Sequence, residues 1–212
     1  MSAARRSGAP VVYIVDDDLS VRESLEALIA QEGWRPVTFA SAENFLAHAR
    51  PPVPSCLVLD VGLPDLDGLE LQKRLAGGNE LPVIFITGRG DIPMTVRAMK
   101  AGAVEFLTKP FEPDVLVGAI RSALERSRVT LAEDADLQTL RARYTSLSRR
   151  EQDVMTLIVL GKLNKQVAAA LELSEVTVKG HRGRVMRKMV AKSFAELVNM
   201  AGRLGLETAG KS

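Results

Sequence analysis

The chain has 212 residues, a formal net charge of +2, an apolar fraction of 46% and a charged fraction of 25%, which are ordinary values for a globular protein with room for two modest domains. No apolar run approaches the roughly 18 residues that a membrane-spanning helix needs, and residues 1–10 lack the apolar core of a secretory signal, so we expect no membrane partner. The single cysteine, Cys56, excludes an internal disulfide and agrees with a cytoplasmic location.

The charge is unevenly distributed along the chain. Residues 1–128 contain 14 basic and 17 acidic side chains, whereas residues 129–212 contain 14 basic and 9 acidic ones. Residues 174–192 alone hold six basic side chains and one acidic side chain. An acidic half followed by a basic half indicates two domains with different tasks, and the basic half is the candidate for binding a polyanion.

The first 128 residues alternate between short apolar runs and segments with helical periodicity. Fully apolar runs of four or five residues are typical of strands buried on both faces. Five strand–helix units predict a doubly wound α/β domain, (βα)5, over residues 11–128, after a disordered tail at residues 1–10. The predicted strands are residues 11–15, 35–39, 56–60, 82–86 and 104–107. The predicted helix caps are Ser20, Ser41 and Asp67, and the predicted stops are Gly33, Pro51–Pro52 and Gly77–Gly78.

Polar residues with reactive groups follow four of these strands. Asp16 and Asp17 follow the first strand, Asp60 closes the third, Thr87 follows the fourth and Lys109 comes shortly after the fifth. The carboxyl ends of parallel strands form one edge of a sheet, where ligands bind, so we expect these side chains to converge. Carboxylates are the hard ligands that Mg²⁺ (or Mn²⁺) prefers, and the pattern predicts a metal site with Asp17 and Asp60 as direct ligands and Asp16 acting through water.

These residue types suit phosphoryl transfer. Asp60 would attack a phosphorus atom in line, Lys109 would neutralise phosphoryl oxygens, and Thr87 would donate a hydrogen bond. The Lys109–Pro110 bond is a candidate for the cis form, which would direct the ammonium group into the cleft. Periodicity alone places Phe106 in the core, with a role in a conformational switch as the alternative.

Beyond residue 112 the chain is helical. Residues 112–144 predict one long helix, or two nearly collinear ones, in which residues 129–144 form a helical linker. Residues 145–208 predict an all-α domain of four helices, the third strongly basic, which matches a helix-turn-helix module. Its predicted helices are residues 149–160, 165–171, 175–189 and 194 to about 204, and their caps are Ser148, Asn164, Ser174 and Ser193.

The basic helix, residues 175–189, has an apolar side and a cationic side. Helices of this kind enter the major groove of DNA while flanking cations contact phosphates, although an ordinary solvated face or a membrane-surface helix would show a similar pattern. The residues predicted to face a core are Val176, Val178, Val185, Met186 and Met189. The cations on the remaining surface are Lys179, Arg182, Arg184, Arg187 and Lys188.

Residues 11–128 resemble the receiver domain of response regulators in the segments VVYIVDDD, LVLDVGLPDLDG, VIFITGRGD and AGAVEFLTKPF. The resemblance implies that Asp60 accepts a phosphoryl group from a sensor histidine kinase. It also implies that Mg²⁺ is held by Asp17, Asp60 and the backbone carbonyl of Gly62, a position where many relatives carry a larger side chain. Thr87 and Phe106 fall on the switch pair of that family, which favours the switch over the core for Phe106.

The segment LSRREQDVMTLIVLGKLNKQVAAALELSEVTVKGHRGRVMRKM resembles the LuxR-type helix-turn-helix, so the whole chain is similar to the NarL/FixJ response regulators and their FixJ and StyR branch. This resemblance implies contact with double-stranded DNA, homodimers on paired half-sites through the last helix, and RNA polymerase as a candidate partner. The implied DNA-binding residues are Lys165 and Arg182 at phosphates, with Thr177, Lys179, Arg184, Arg187 and Lys188.

The combined prediction is a two-component response regulator whose phosphorylation on Asp60 switches dimerisation and DNA binding, and so regulates, most simply activates, transcription. The alternative is a DNA-binding regulator that is switched by a partner without phosphorylation. An enzyme is disfavoured, because phosphatases of the haloacid-dehalogenase class need a second acid two residues after the nucleophile, where this chain has Gly62.

Overall fold

The structure, a computed structural model, describes residues 8–75, 81–88 and 92–206. The chain divides into two compact units, Met1–Ala132 and Glu133–Ser212. Of the predicted N-terminal tail only residues 8–10 are described, and they form neither helix nor strand; the predicted stop at Gly77–Gly78 lies outside the described residues.

Five parallel strands form the centre of the first unit, in the order β2-β1-β3-β4-β5. The strands are β1 Val11–Val15, β2 Arg35–Phe39, β3 Ser55–Asp60, β4 Val83–Thr87 and β5 Glu105–Thr108. Side chains alternate between the two faces, so that Tyr13 and Leu57 enter one buried cluster while Ile14 and Val58 enter the other. Both faces are covered, and the predicted doubly wound α/β fold is confirmed.

The helices of this unit follow the predicted order, with two local differences. The helices are α1 Leu19–Gln31, α2 Ala42–Leu46, α3 Gly68–Leu75, α4 Ile92–Lys100 and the first part of α5 Pro113–Thr145. The prediction that Ser20 caps α1 is wrong, because the Asp18 carboxylate accepts the Ser20 N–H and the helix begins at Leu19. The α2 helix ends at Leu46, several residues before the predicted stop at Pro51–Pro52. The caps at Ser41 and Asp67 are confirmed.

A single 33-residue helix, α5, begins in the first unit and ends in the second, so of the two predicted alternatives the structure has one long helix and not two collinear ones. Within the described residues, no helix combines the length and apolar character that crossing a membrane would require.

The second unit continues with four helices, α6 Arg149–Val159, α7 Asn164–Leu171, α8 Glu175–Met189 and α9 Phe194–Arg203. Ser148, Ser174 and Ser193 cap α6, α8 and α9 as predicted. The predicted cap at Asn164 is wrong, because that residue is already the first of α7 and the Leu163 N–H is satisfied by the Gln166 side chain. The core is built on Val154, Met155, Val167, Val178, Val185, Met189, Leu197 and Ala201.

Candidate functional site

Three aspartates meet at the carboxyl edge of the sheet. Asp16 and Asp17 follow β1, and Asp60 ends the neighbouring strand β3. One carboxylate oxygen from each of the three lies within 4.8 Å of the others. Asp16 is fully buried, Asp60 is 8% exposed and Asp17 is exposed. The structure therefore brings together the three acids that the sequence singled out.

Lys109 reaches the same cluster from the loop after β5. Its Nζ atom lies 2.6 Å from Oδ2 of Asp16 and 3.3 Å from Oδ1 of Asp60. The Lys109 backbone N–H donates to the carbonyl of Thr87 at 2.7 Å, which ties the loop to the end of β4. The Lys109–Pro110 bond is cis, as the sequence suggested. The ammonium group is held inside the cleft between two carboxylates.

The electrostatics of this cluster follow from burial and close charges. Burial raises the pKa of Asp60 above its ordinary value, the charge of Asp16 adds to the rise, and Lys109 opposes it. Burial alone would lower the pKa of Lys109, but the hydrogen bond and charge of Asp16, together with the charge of Asp60, raise it overall. Lys109 is therefore kept protonated, as a charge-neutralising role at this site requires.

Backbone groups and two residues that sequence reasoning missed shape the cluster. The Asp16 carboxylate accepts the Asp18 N–H at 2.9 Å, and Arg22 donates to the Asp16 carbonyl at 2.6 Å. Gly68 packs so closely that an added Cβ would lie 2.9 Å from the Asp60 carbonyl oxygen. The Asp67–Gly68 pair in the sequence was a signal that the backbone approaches another segment closely there. Nothing in the local pattern around Arg22 indicates its hydrogen bond to the Asp16 carbonyl.

The donor set fits a hard divalent cation. Carboxylate oxygens are the preferred ligands of Mg²⁺, which also keeps several waters, and the exposed Asp17 leaves one side of the cluster open to solvent. Gly62 donates its N–H to Oδ2 of Asp60 at 3.2 Å and is itself exposed, so it lines the same carboxylate. An added Cβ at Gly62 would lie 3.4 Å from that oxygen, and the glycine leaves this space free.

The two residues predicted as a switch pair lie on adjacent strands. Thr87 ends β4 and is buried, while Phe106 on β5 is half-buried. The Phe106 ring centroid lies 6.2 Å from that of Phe85, its partner in the strand register. Phe106 thus lies at the margin of the core and is not enclosed by it.

A second candidate site lies on α8. The predicted DNA-binding cations form two groups: those that have a partner within the second unit, and exposed ones that have none among the described residues. Val178, Val185 and Met189 are buried, but Val176 is 79% exposed, so the prediction that it faces the core is wrong. The Arg182 guanidinium lies 4.9 Å from the Phe194 ring centroid and donates to Oδ1 of Asn164 at 3.3 Å.

Arg184 and Lys188 are engaged by one buried acid, Glu151 on α6. Their nitrogen atoms lie 3.1 and 2.7 Å from its carboxylate oxygens, and the Ser148 N–H donates to the same carboxylate at 2.9 Å. Glu151 is 3% exposed. The hydrogen bond from Lys188 and the one from the Ser148 backbone lower the pKa of Glu151 to about 2. The sequence predicted the helix cap at Ser148 but gave no signal for the partners of Glu151 on α8.

The other predicted DNA-binding residues are exposed. Lys165, Lys179 and Arg187 form no ion pair with any described residue. Thr177 belongs to the cap of α8, since its N–H donates to the Ser174 hydroxyl at 3.1 Å and the two hydroxyls lie 2.8 Å apart. Of the predicted DNA-binding cations, these three therefore have no partner among the described residues and are left for an external anion.

Both halves of the chain match known protein families. Residues 12–121 match the model described as response regulator receiver domain, and residues 145–201 match the model described as bacterial regulatory proteins, luxR family.

Similar proteins extend this match over most of the chain. Nodulation protein W of Bradyrhizobium diazoefficiens is 50% identical over 197 residues, which are 92% of this chain and 87% of that protein. The transcriptional regulatory protein FixJ of the same organism is 42% identical over 92% of this chain and 96% of its own length. The solved structure of the response regulator StyR superposes with a TM-score of 0.79 at 45% identity, covering 92% of this chain and all of that one. The predicted similarity to the FixJ and StyR branch is confirmed.

Proposed function

Since the chain belongs to the two-component response regulators that join a receiver domain to a LuxR-type DNA-binding domain, we propose that phosphorylation of Asp60 by a sensor histidine kinase switches its binding to DNA. Members of this family are regulators and not enzymes, as the sequence predicted. The observation that carries the proposal is the convergence of three carboxylates and Lys109 at one sheet edge. We place the receiver at residues 11–128, the linker at 129–144 and the DNA-binding domain at 145–208.

The site has the groups that acceptance of a phosphoryl group requires. A carboxylate oxygen of Asp60 attacks the phosphorus of a phosphohistidine in line; the new O–P bond forms as the P–N bond breaks, and the imidazole leaves with a proton from solvent. Lys109, already 3.3 Å from Asp60, neutralises the phosphoryl oxygens. Mg²⁺, held by Asp17, Asp60 and the Gly62 carbonyl with Asp16 acting through water, would supply further charge neutralisation.

The phosphorylated site would differ from the free site mainly in charge. A phosphoryl group adds roughly two negative charges and three acceptor oxygens. Thr87, at the end of β4, would move to donate a hydrogen bond to one of these oxygens. The half-buried ring of Phe106 would then turn inward, and the surface formed by α4 and β5 would change shape.

In the second unit, α8 is the element proposed to enter the major groove, with Lys165, Lys179 and Arg187 at phosphates. Arg182, Arg184 and Lys188 have partners within the domain, which supports a role in holding α8 in place in addition to any contact with DNA. Two such domains would pair through α9 on two half-sites of the DNA. Binding would then change the transcription of nearby genes, with activation as the simplest outcome.

The proposal is tested by comparing the wild type with Asp60→Asn. A small phosphoryl donor and Mg²⁺ should label the wild type with one acyl-phosphate, detected by mass spectrometry, and should raise its affinity for DNA. Asp60→Asn should show neither effect. Asp65→Asn is the matched control, because Asp65 lies in the same loop and accepts the Glu43 N–H, which an asparagine oxygen can also accept. Labelling without any change in DNA affinity would favour a regulator switched by a partner alone.

A further inference from the structure

The face of α8 that points away from the core has an unusual composition. Successive residues of an α-helix are about 100° apart around the helix axis. Val178, Val185 and Met189 are buried on one side of α8, and residues spaced three or four apart lie on the opposite side. We call this set the outer ridge. Its members, all exposed, are Val176, Gly180, Gly183 and Arg187.

The outer ridge carries few groups that could hydrogen-bond to base edges. Three of the cations of α8 lie off the ridge and have partners within the domain, at Phe194 and Asn164 for Arg182 and at Glu151 for Arg184 and Lys188. Arg187, in the last turn, is the ridge's own charged residue. The middle of the ridge therefore presents helix backbone in place of side chains.

Neither backbone geometry nor packing within the unit requires the two ridge glycines. Gly180 and Gly183 have ordinary helical backbones without a positive φ. A Cβ added at Gly183 would meet nothing within 4 Å, and one at Gly180 would approach only Nη1 of Arg184, at 3.7 Å. Each glycine costs the helix about 1 kcal/mol relative to alanine. The two glycines leave the outer surface of α8 without side chains at these positions, so another molecule can approach the helix backbone more closely.

The N-terminal turn of α8 supplies the contact groups. Val176, the first residue of the ridge, is 79% exposed although it is a β-branched apolar side chain. The hydroxyl of the adjacent Thr177 lies 2.8 Å from the Ser174 hydroxyl, and the methyl of Thr177 is the apolar group that this residue offers beside Val176. The C5-methyl of thymine is the apolar group that the major groove offers to such side chains.

We propose that α8 recognises thymine methyl groups in the major groove through Val176 and Thr177, and that Gly180 and Gly183 let the helix backbone lie close to the base edges. Lys179 and Arg187, which have no ion-pair partner among the described residues, hold the flanking phosphates. This inference rests on the proposed DNA-binding function and specifies what that function reads.

The experiment begins with duplexes that the full-length chain, treated with the small phosphoryl donor and Mg²⁺, selects from a randomised pool. Each thymine of a selected duplex is then replaced in turn by deoxyuridine, which removes only the methyl group, and affinity is measured for the wild type and for Val176→Ala. At one or more positions the wild type should lose about fourfold in affinity, the equivalent of one buried methyl group. At the thymine that Val176 contacts, Val176→Ala should bind the thymine and uracil duplexes equally well, whereas a loss at a thymine that Thr177 contacts should remain. Equal losses in both proteins at every thymine, or no loss in either, would overturn the proposal.

Gly183→Ala tests the close approach independently. Its added methyl meets no atom of the described residues within 4 Å, so the variant should be at least as stable as the wild type and yet bind the selected duplex about tenfold more weakly, with unchanged affinity for a random duplex. Gly118→Ala on α5 is the matched control, since Gly118 is also an exposed helical glycine whose Cβ would meet nothing. Unchanged selected-site affinity in Gly183→Ala would overturn the inference alone, whereas a wild type that binds no duplex even after phosphorylation would remove the proposed function as well.

Discussion

The residue that balances the acidic cluster is Lys109, whose ammonium group contacts both Asp16 and Asp60. Lys109→Met would leave the fully buried Asp16 without its cation, and the free energy of unfolding of the first unit should fall by about 2–3 kcal/mol. Urea unfolding followed by the fluorescence of Trp34, the single tryptophan of the chain, measures this unit.

Mg²⁺ should reduce the loss of unfolding free energy caused by Lys109→Met, because the ion neutralises the same carboxylates and stabilises the folded state by mass action. The matched control is Lys100→Met, which removes an exposed lysine of α4 that forms no ion pair with any described residue. Equal stability of the two variants in the absence of Mg²⁺ would contradict the account of Lys109 as the balancing charge.

Val190, the C-cap residue that follows α8, has a strained backbone. Its φ of 60° lies in the left-handed region, which costs an L-residue roughly 1–2 kcal/mol and is rarer still for a β-branched one. Its side chain is largely exposed, so little packing is lost when it is removed. Val190→Gly should therefore stabilise the second unit by about 1 kcal/mol. Hydrogen exchange of the amides in α8 and α9 measures the change.

Glu172, at the end of α7, is the matched comparison for Val190. It has nearly the same φ, 56°, but carries no branch at Cβ. Glu172→Gly should stabilise the unit by less than Val190→Gly does, because less steric strain is relieved. A larger gain at Glu172 would show that branching at Cβ is not the source of the strain at Val190.

At the scale of elements, the buried carboxylate of Glu151 joins α6 to α8 through Arg184 and Lys188. Glu151→Gln should destabilise the second unit by about 2–3 kcal/mol at neutral pH, since two charge-assisted hydrogen bonds lose their anion. Asp153→Asn on the same helix, whose pairing with Arg150 at 3.9 Å is exposed, should change stability by less than about 0.5 kcal/mol.

The same contact gives the second unit a defined pH dependence. The pKa of Glu151 is about 2 in the folded state and near its ordinary value of 4.5 in the unfolded state, so the unfolded state takes up the proton first as the pH falls. The stabilisation is complete above pH 4.5 and is lost as the pH falls towards 2. Hydrogen exchange of α8 should therefore show the difference between wild type and Glu151→Gln shrinking over this range. A difference that stays constant down to pH 2.5 would assign the effect to packing.

The elements themselves were largely predictable, and the errors have local physical causes. Strand runs and helix periodicity gave the order of every element because buried faces repeat with the period of the backbone. The start of α1 was misplaced because Asp18 and Ser20 are equally good caps and only the turn after β1 decides between them. Asn164 was misassigned because α7 begins one residue earlier than predicted, so that Asn164 is already the first residue of the helix and Leu163 precedes it.

At the scale of the whole molecule, long-range pairings limited the sequence reasoning. The acidic cluster could be predicted because its members end parallel strands, and one rule of topology brings such ends together. The partners of the α8 cations could not, because Glu151 lies 33 residues before Arg184 and pairs with it only after three helices have packed. Val176 was assigned to the core because a short apolar pattern does not reveal which of two helix faces is covered.

The two halves of the chain carry opposite charges, and this separates two ways in which phosphorylation could act on DNA binding. Residues 1–128 have a net charge of −3 and residues 129–212 of +5. A phosphoryl group makes the first half more negative, which by itself weakens attraction to DNA. A gain in affinity must therefore come from pairing of two chains or from a changed arrangement within one chain.

The dependence of affinity on salt distinguishes these two cases. With Lys165, Lys179 and Arg187 at phosphates, the slope of log affinity against log salt concentration should be about −3 for one chain and about −6 for a pair. We expect pairing, so phosphorylation should roughly double the slope measured by fluorescence anisotropy of a labelled duplex, while Asp60→Asn keeps the shallow slope under the same conditions. A phosphorylated wild type that binds more tightly with an unchanged slope would contradict pairing, because released counterions count the phosphates that the bound protein covers.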